Sequence, residues 1–302
     1  MDPQVQTKEA WSNPLEFVLY ESDDQGGYVK TQNVPADRTQ RREVTARGNE
    51  SKFRVQVTLR TCLHGFLDDT ESTPATLIVL DAQFVVVNSN KARFKSAELK
   101  LEFTNGKQGE GLSPPEVVAF APFRTPERMN MTFDDRGSKV SLGGSLGIQA
   151  LATAELRTDW ERQSWYTQRY FDRGSAGTGY NPEHDCMNSV WWALQESGNP
   201  HEKHGISPFC RFAVLLKRSS QEPFEAKFSL KLDAATGFDL FDAWSFRKCQ
   251  TVVDDPLKFS PFAEPQGEFQ GLDAKNLGKL AADEALVALT AVPGLEPLHR
   301  AI

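Results

Sequence analysis

The band from Trp160 to Trp192 holds the residue types best suited to gripping an organic molecule. Trp160, Trp165, Tyr166, Tyr170, Trp191 and Trp192 lie in it together with Arg162, Arg169, Arg173 and Tyr180. Indole and phenol side chains offer large apolar walls with one donor at the tip. A guanidinium holds a carboxylate or a polarised carbonyl oxygen through paired hydrogen bonds. Together they predict a pocket for a bulky apolar ligand with a single polar handle. A sandwich core joined to a protein-contact surface accounts for the same aromatic density.

Other chemistries find weaker support. Adjacent carboxylates occur at Asp23-Asp24, Asp68-Asp69, Asp134-Asp135 and Asp254-Asp255. Two carboxylates divide acid and base work only when their environments differ, and neighbouring Asp residues in loops read first as turn formers. His201 and His204 could face one metal, with His184 and Cys186 the only nearby candidates, but a zinc site needs three or four ligands. Pro200 and Gly205 bracket the pair, so a solvated loop is the plainer reading and no metal is expected. Cys62 and His64 share a strand face at spacing two, which admits either a thiol–imidazole pair or a buried structural thiol. The glycine motifs of nucleotide-binding folds and the GxSxG of hydrolases do not occur. Gly143-Gly144-Ser145-Leu146-Gly147 sits in an alternating pattern and reads as a bend.

Acidic residues outnumber basic ones, 41 to 34, for a net charge of -7 over 302 residues. That balance argues against nucleic acid or an anionic membrane as partner. The amino terminus has neither a basic nor an apolar stretch, so no secretory leader is expected, and no apolar run has bilayer length. Four scattered cysteines then read as free thiols, with a cytoplasmic address as the default.

These side chains need a scaffold, and its signal is strand periodicity. Phe53, Val55, Val57 and Leu59 alternate with polar residues, as do Leu99, Leu101 and Phe103. Leu77 to Val87 and Phe209 to Leu216 are almost wholly apolar, which predicts strands buried on both faces. Arg211 is the only charge in the second run. The alternating run Phe224 to Leu232 follows a polar turn, so the two read as a hairpin at the heart of a sheet. Val117 to Phe123, flanked by prolines, suits an edge strand. Residues 33–51 read as a solvated connection or an edge strand, and Leu15 to Tyr20 as a first strand. Val140 to Leu156 reads as strand, with a helix from Leu146 to Trp160 as the alternative. Short strands are expected at 240–244 and 251–253. Asp254-Asp255-Pro256 and Pro261 mark the end of the packed region. From Asp273 to Ala291 the composition turns to Ala, Leu, Lys and Glu at helical spacing, predicting one amphipathic helix. The expected fold is all-β, a mainly antiparallel β-sandwich over 1–262. Residues 263–302 form a linker and a C-terminal helix.

Several strings point further. Residues 41–48, 62–69 and 73–80, the run Arg93 to Leu99, Trp192 to Glu196 and Arg211 to Arg218 resemble a family of fungal proteins. That family is in turn similar to the cofactor-free Diels-Alderases of fungal terpenoid pathways, of the norbornene-forming, sordarin type. The resemblance implies an intramolecular [4+2] cyclisation of an apolar intermediate, with no metal or cofactor. Under it, Trp160, Trp165, Tyr166, Tyr170, Trp191 and Trp192 shape the pocket. Arg169 and Arg173 orient the polar handle, and Tyr180 or His64 donate further hydrogen bonds. A non-catalytic lipid-binding or protein-interaction sandwich is the competing expectation.

Overall fold

In the computed structural model the described residues are 30–47, 53–87, 92–106, 112–140, 162–199, 203–236, 254–267, 269 and 271–293, with backbone alone for 131–140, 162–169 and 283. The expected strands at 15–20, 240–244 and 251–253, the bend at Gly143 and the helix alternative to Trp160 lie outside them. So do Asp23-Asp24, His201 and Cys249.

Two antiparallel sheets pack face to face. The strands in chain order are β1 Glu43–Arg47, β2 Phe53–Phe66, β3 Pro74–Val86, β4 Ala92–Asn105, β5 Glu116–Ala121, β6 Glu127–Val140, β7 Arg162–Asn181, β8 Cys186–Gln195, β9 Phe209–Lys217, β10 Phe224–Thr236 and β11 Leu257–Phe259. The first sheet runs β1-β2-β3-β9-β5 and the second β11-β10-β4-β8-β7-β6. The all-β sandwich is therefore the fold, with β5 on an edge as its flanking prolines require.

Between the sheets lies one apolar layer. Phe53 packs edge-on to Phe94 across it, with ring centroids 5.1 Å apart. Trp192 of the second sheet meets Phe212 of the first at 5.1 Å, and Phe224 stacks on Phe259 at 5.0 Å. Burial of such rings contributes on the order of 2 kcal/mol each. At one edge Arg41, 3 % exposed, donates to the backbone carbonyls of Glu43, Val44, Asp255 and Pro256. Arg47 pairs with buried Asp254 at 2.8 Å. The Asp254 carboxylate thus clamps β1 to the chain before β11, while that of Asp255 holds Lys30 and the Asn33 N–H, both structural duties.

The strands β9 and β10 do not form a hairpin. β9 sits between β3 and β5, whereas β10 sits between β4 and β11 in the other sheet. The connection 218–223 crosses the sandwich. Arg218 donates to the carbonyl of Ala75 at 3.3 Å and the Ser219 hydroxyl to that of Ser113 at 2.8 Å, contacts outside any two-strand turn.

The packed region does not end at Pro261. After β11 the chain leaves the second sheet and crosses the outer face of the first as a strap. Its regular elements are a 3-10 turn, Leu277–Ala281, and one short helix, α1 (Asp283–Val287). The single helix over 273–291 is thereby corrected. Backbone hydrogen bonds to β2 impose an irregular path: Cys62 N–H to Gln266, Phe66 N–H to Ala274, and Gly278 N–H to Leu67. Gly267 makes this approach possible. Its φ is +103°, and a Cβ there would lie 2.0 Å from the Arg60 carbonyl oxygen. Leu277 and Leu286 are buried against Leu77, Ala213 and Leu215. The strap explains why β3 and β9 are apolar on both faces.

Candidate ligand cavity

Sheet alternation sorts the polar residues of β2, β3 and β9 to two faces, and each face gathers a cluster. On the inner face Cys62 and His64, two residues apart, do come together: Sγ is 3.5 Å from Nε2. Nε2 also lies 2.8 Å from the Gln40 amide nitrogen, which donates to it. The imidazole proton then belongs on Nδ1, which donates to the Thr76 hydroxyl at 2.9 Å. Phe224 packs edge-on to the ring, 6.3 Å between centroids.

Burial, with the Arg218 charge adding to it, lowers His64 to about 4. Burial also pushes the Cys62 thiol far above its usual range. Both groups are neutral near pH 7, so the pair supplies neither thiolate nor an effective base. Arg218, 3 % exposed, donates Nη1 to the Ser220 carbonyl and the Gln221 side chain, each at 3.1 Å. Burial lowers it to about 10, and its Nε–H finds no acceptor among the described residues.

On the outer face a β-bulge between Leu59 and Thr61 shifts the register of β2. It places Arg60 between the Leu59–Leu80 and Thr61–Val79 pairs of the ladder and turns Thr61 toward the strap. Asp81 of β3 stands opposite Arg211 of β9 in the ladder. Arg211 Nε donates to Asp81 Oδ1 at 2.6 Å and Nη2 to Oδ2 at 3.3 Å, while Arg60 Nη1 reaches Oδ2 at 3.4 Å. The backbone N–H of Arg211 bonds the strap at the Ala291 carbonyl, 2.7 Å. Between sheet and strap lies a half-open cavity of about 410 Å³. Val79, Phe269, Leu272, Ala288 and Leu289 form its apolar wall, and Arg60, Thr61 and Arg211 its polar end.

Among the described side chains the aromatic band does not gather in one place. Trp192 is buried in the inter-sheet core against Phe212, and its indole N–H has no acceptor among the described residues. Trp191, its neighbour, points to the opposite face, where it covers Gly177. Tyr170 is half-buried and Arg173 exposed. Tyr180 is 56 % exposed and donates to Asp185 at 2.8 Å. His64 lies in the other sheet. Trp165, Tyr166 and Arg169 stand on β7 opposite Gly137, Arg136 and Phe133, with backbone alone described. Trp160 lies outside the described residues.

Sequence reasoning missed Arg60, Asp81 and the wall supplied by Phe269, Leu272 and Leu289. It also missed Asp172, 2 % exposed, which accepts from Asn130 at 2.8 Å, the Ser197 N–H at 2.7 Å and His204 at 3.1 Å. That carboxylate pins the β6 bulge and the loops after β8. Among the described residues no cluster of three His, Cys, Asp or Glu side chains is arranged to hold a metal, and no helix is long and apolar enough to cross a membrane. Asp68 behaves as a turn former, accepting from Thr70 and Ser72. Cys62, Cys186 and Cys210 are free thiols. Compared with known proteins, the sequence matches no family model and no curated relative.

Proposed function

We propose that this chain is a cofactor-independent cyclase that folds an apolar intermediate within the cavity between the first sheet and the strap, and closes a ring by an intramolecular [4+2] reaction. The observation that carries this reading is the cavity itself. Its volume of about 410 Å³ falls within the roughly 300–1,000 Å³ of small-molecule sites. Its lining pairs an apolar wall with arginine donors, as such chemistry needs. The resemblance of the strings at 41–48, 62–69 and 73–80 to the fungal Diels-Alderase-like family supports the reaction class.

A [4+2] closure converts three π bonds into one π and two σ bonds, with no proton, electron or leaving group to place. The protein's task is to hold diene and dienophile in one folded conformer. A guanidinium hydrogen-bonded to an activating carbonyl stabilises the charge that grows there in the transition state. Arg211 and Arg60 are the donors in position.

The test is incubation of the purified, metal-stripped protein with metabolite extract from a strain lacking its gene. The expected result is a product with unchanged mass and altered retention time. Absence of conversion in an extract containing the pathway's intermediates rejects the cyclase. If an extract component binds the cavity unchanged, the site is that of a carrier.

A further inference from the structure

We infer that Thr61 is a further hydrogen-bond donor to the cavity's ligand, and that with Arg211 it holds the carbonyl oxygen of an apolar ketone or aldehyde. This rests on the cavity being a ligand site, as the cyclase reading holds, and deepens it by naming the group that is recognised.

Beyond its bulge β2 sends Cys62 into the inter-sheet core, so Thr61 and Leu63 face the strap. Leu63 packs in the apolar cluster beneath the strap. Thr61 stands opposite Val79 in the ladder, and both border the cavity. Its side chain is well buried, at 3 % residue exposure, yet no described atom hydrogen-bonds its hydroxyl. Buried hydroxyls are ordinarily paired, and valine would fill the same shape, so packing alone gives no reason for the oxygen. Arg211 approaches from the other side of Val79. It lies two residues before Ala213, the β9 partner of Val79, and its backbone N–H is fixed by the Ala291 carbonyl. Asp81 occupies its Nε and Nη2, and no described atom accepts from Nη1. Two donors therefore border one void whose other walls, Phe269, Leu272, Ala288 and Leu289, are apolar. A carbonyl oxygen has two lone pairs and no proton, so it accepts from both. In the cyclisation these donors stabilise the charge growing on an activating carbonyl, and no proton moves.

The experiment measures binding of methyl hexyl ketone, its methylene isostere and the corresponding secondary alcohol to the full chain. Calorimetry reads the ketone and alcohol, and competition reads the isostere. These saturated-chain probes cannot cyclise, so the result is independent of catalysis. Infrared difference spectra of the ketone, isotope-labelled at its carbonyl carbon, read the hydrogen bonds directly. The ketone should bind more tightly than its isostere, with its carbonyl band moved to lower frequency than in an apolar solvent. Thr61→Val should weaken ketone binding roughly threefold to tenfold, the usual worth of one hydrogen bond. It should leave the isostere unaffected and move the band part of the way back, while Thr61→Ser restores both. Leu289→Trp, which fills the apolar end, should abolish binding of all three probes. Thermal melts of each variant confirm folding. Equal affinity for ketone and isostere, tighter binding of the alcohol, or a band that Thr61→Val does not move overturns the assignment. Ketone binding as expected without mass-neutral conversion of any extract component would sink the cyclase reading alone. Conversion by a chain that ignores the ketone would sink this assignment alone.

Discussion

The two faces of the first sheet carry polar clusters built on the same strands, and the two have opposite characters. The inner one, Cys62, His64, Gln40 and Thr76, has the residue types of nucleophilic catalysis, yet its members hydrogen-bond one another and stay neutral. The outer one, Arg60, Asp81 and Arg211, has no nucleophile, yet it forms the polar end of an open cavity. Residue type marks the first; guanidinium donors beside open volume mark the second. A buried group satisfied by its neighbours stabilises the fold, whereas a donor left facing a cavity is available to a ligand.

The strap separates the two faces most sharply, so lifting it should have the largest effect. Gly267→Val forces a β-branched residue to φ +103° and sets its Cβ against the Arg60 carbonyl. A loss of about 3 kcal/mol is expected in urea unfolding, together with loss of ligand binding. Wild-type stability would show that the strap is not seated on β2.

Acid should break the inner cluster. His64 has its folded pKa lowered to about 4 from an ordinary value of 6.5, so between those values the unfolded chain binds the extra proton. Stability from this group is therefore fully present above about pH 6.5 and is lost as pH falls toward 4, by about 2 kcal/mol after allowance for partial exposure. Subtracting the His64→Gln profile from the wild-type one isolates the term. A flat difference would contradict the neutral, buried imidazole.

The outer cluster should be the milder one to stability. Arg60→Ala removes one partner of Asp81 at a partly exposed site and should cost at most about 1 kcal/mol in urea unfolding. The thiols sharpen the contrast without changing stability. Burial raises Cys210 to about 12 and Cys62 higher still, so brief alkylation of the native protein at pH 8 should modify half-buried Cys186 before either. Early modification of Cys62 would show that the inner cluster is open.

Much of this architecture was legible because burial imprints strands directly. The alternation of β2 and the largely apolar runs of β3 and β9 announced which faces are covered. What covers the outer face was not legible: the strap is held by backbone hydrogen bonds and by Gly267, while its Ala-, Leu- and Lys-rich composition suggests a longer helix than α1. The β9–β10 turn residues fit a hairpin equally well, since the choice of sheet depends on remote partners such as Ala75 and Ser113. For the cavity, the usable signal was Asp81, the single charge of β3, and Arg211, the single charge of β9 before its terminal Lys217. Two isolated opposite charges on doubly covered strands are expected to seek each other. Within the aromatic band, Trp191 and Trp192 are adjacent on β8 and so face opposite ways, which density along the sequence does not reveal.

The most direct test of the central claim is mass-neutral conversion by the purified chain, compared between wild type and Leu289→Trp. The cavity account expects turnover in the wild type and its loss in a folded Leu289→Trp variant. Undiminished turnover in that variant would place the chemistry elsewhere in the molecule.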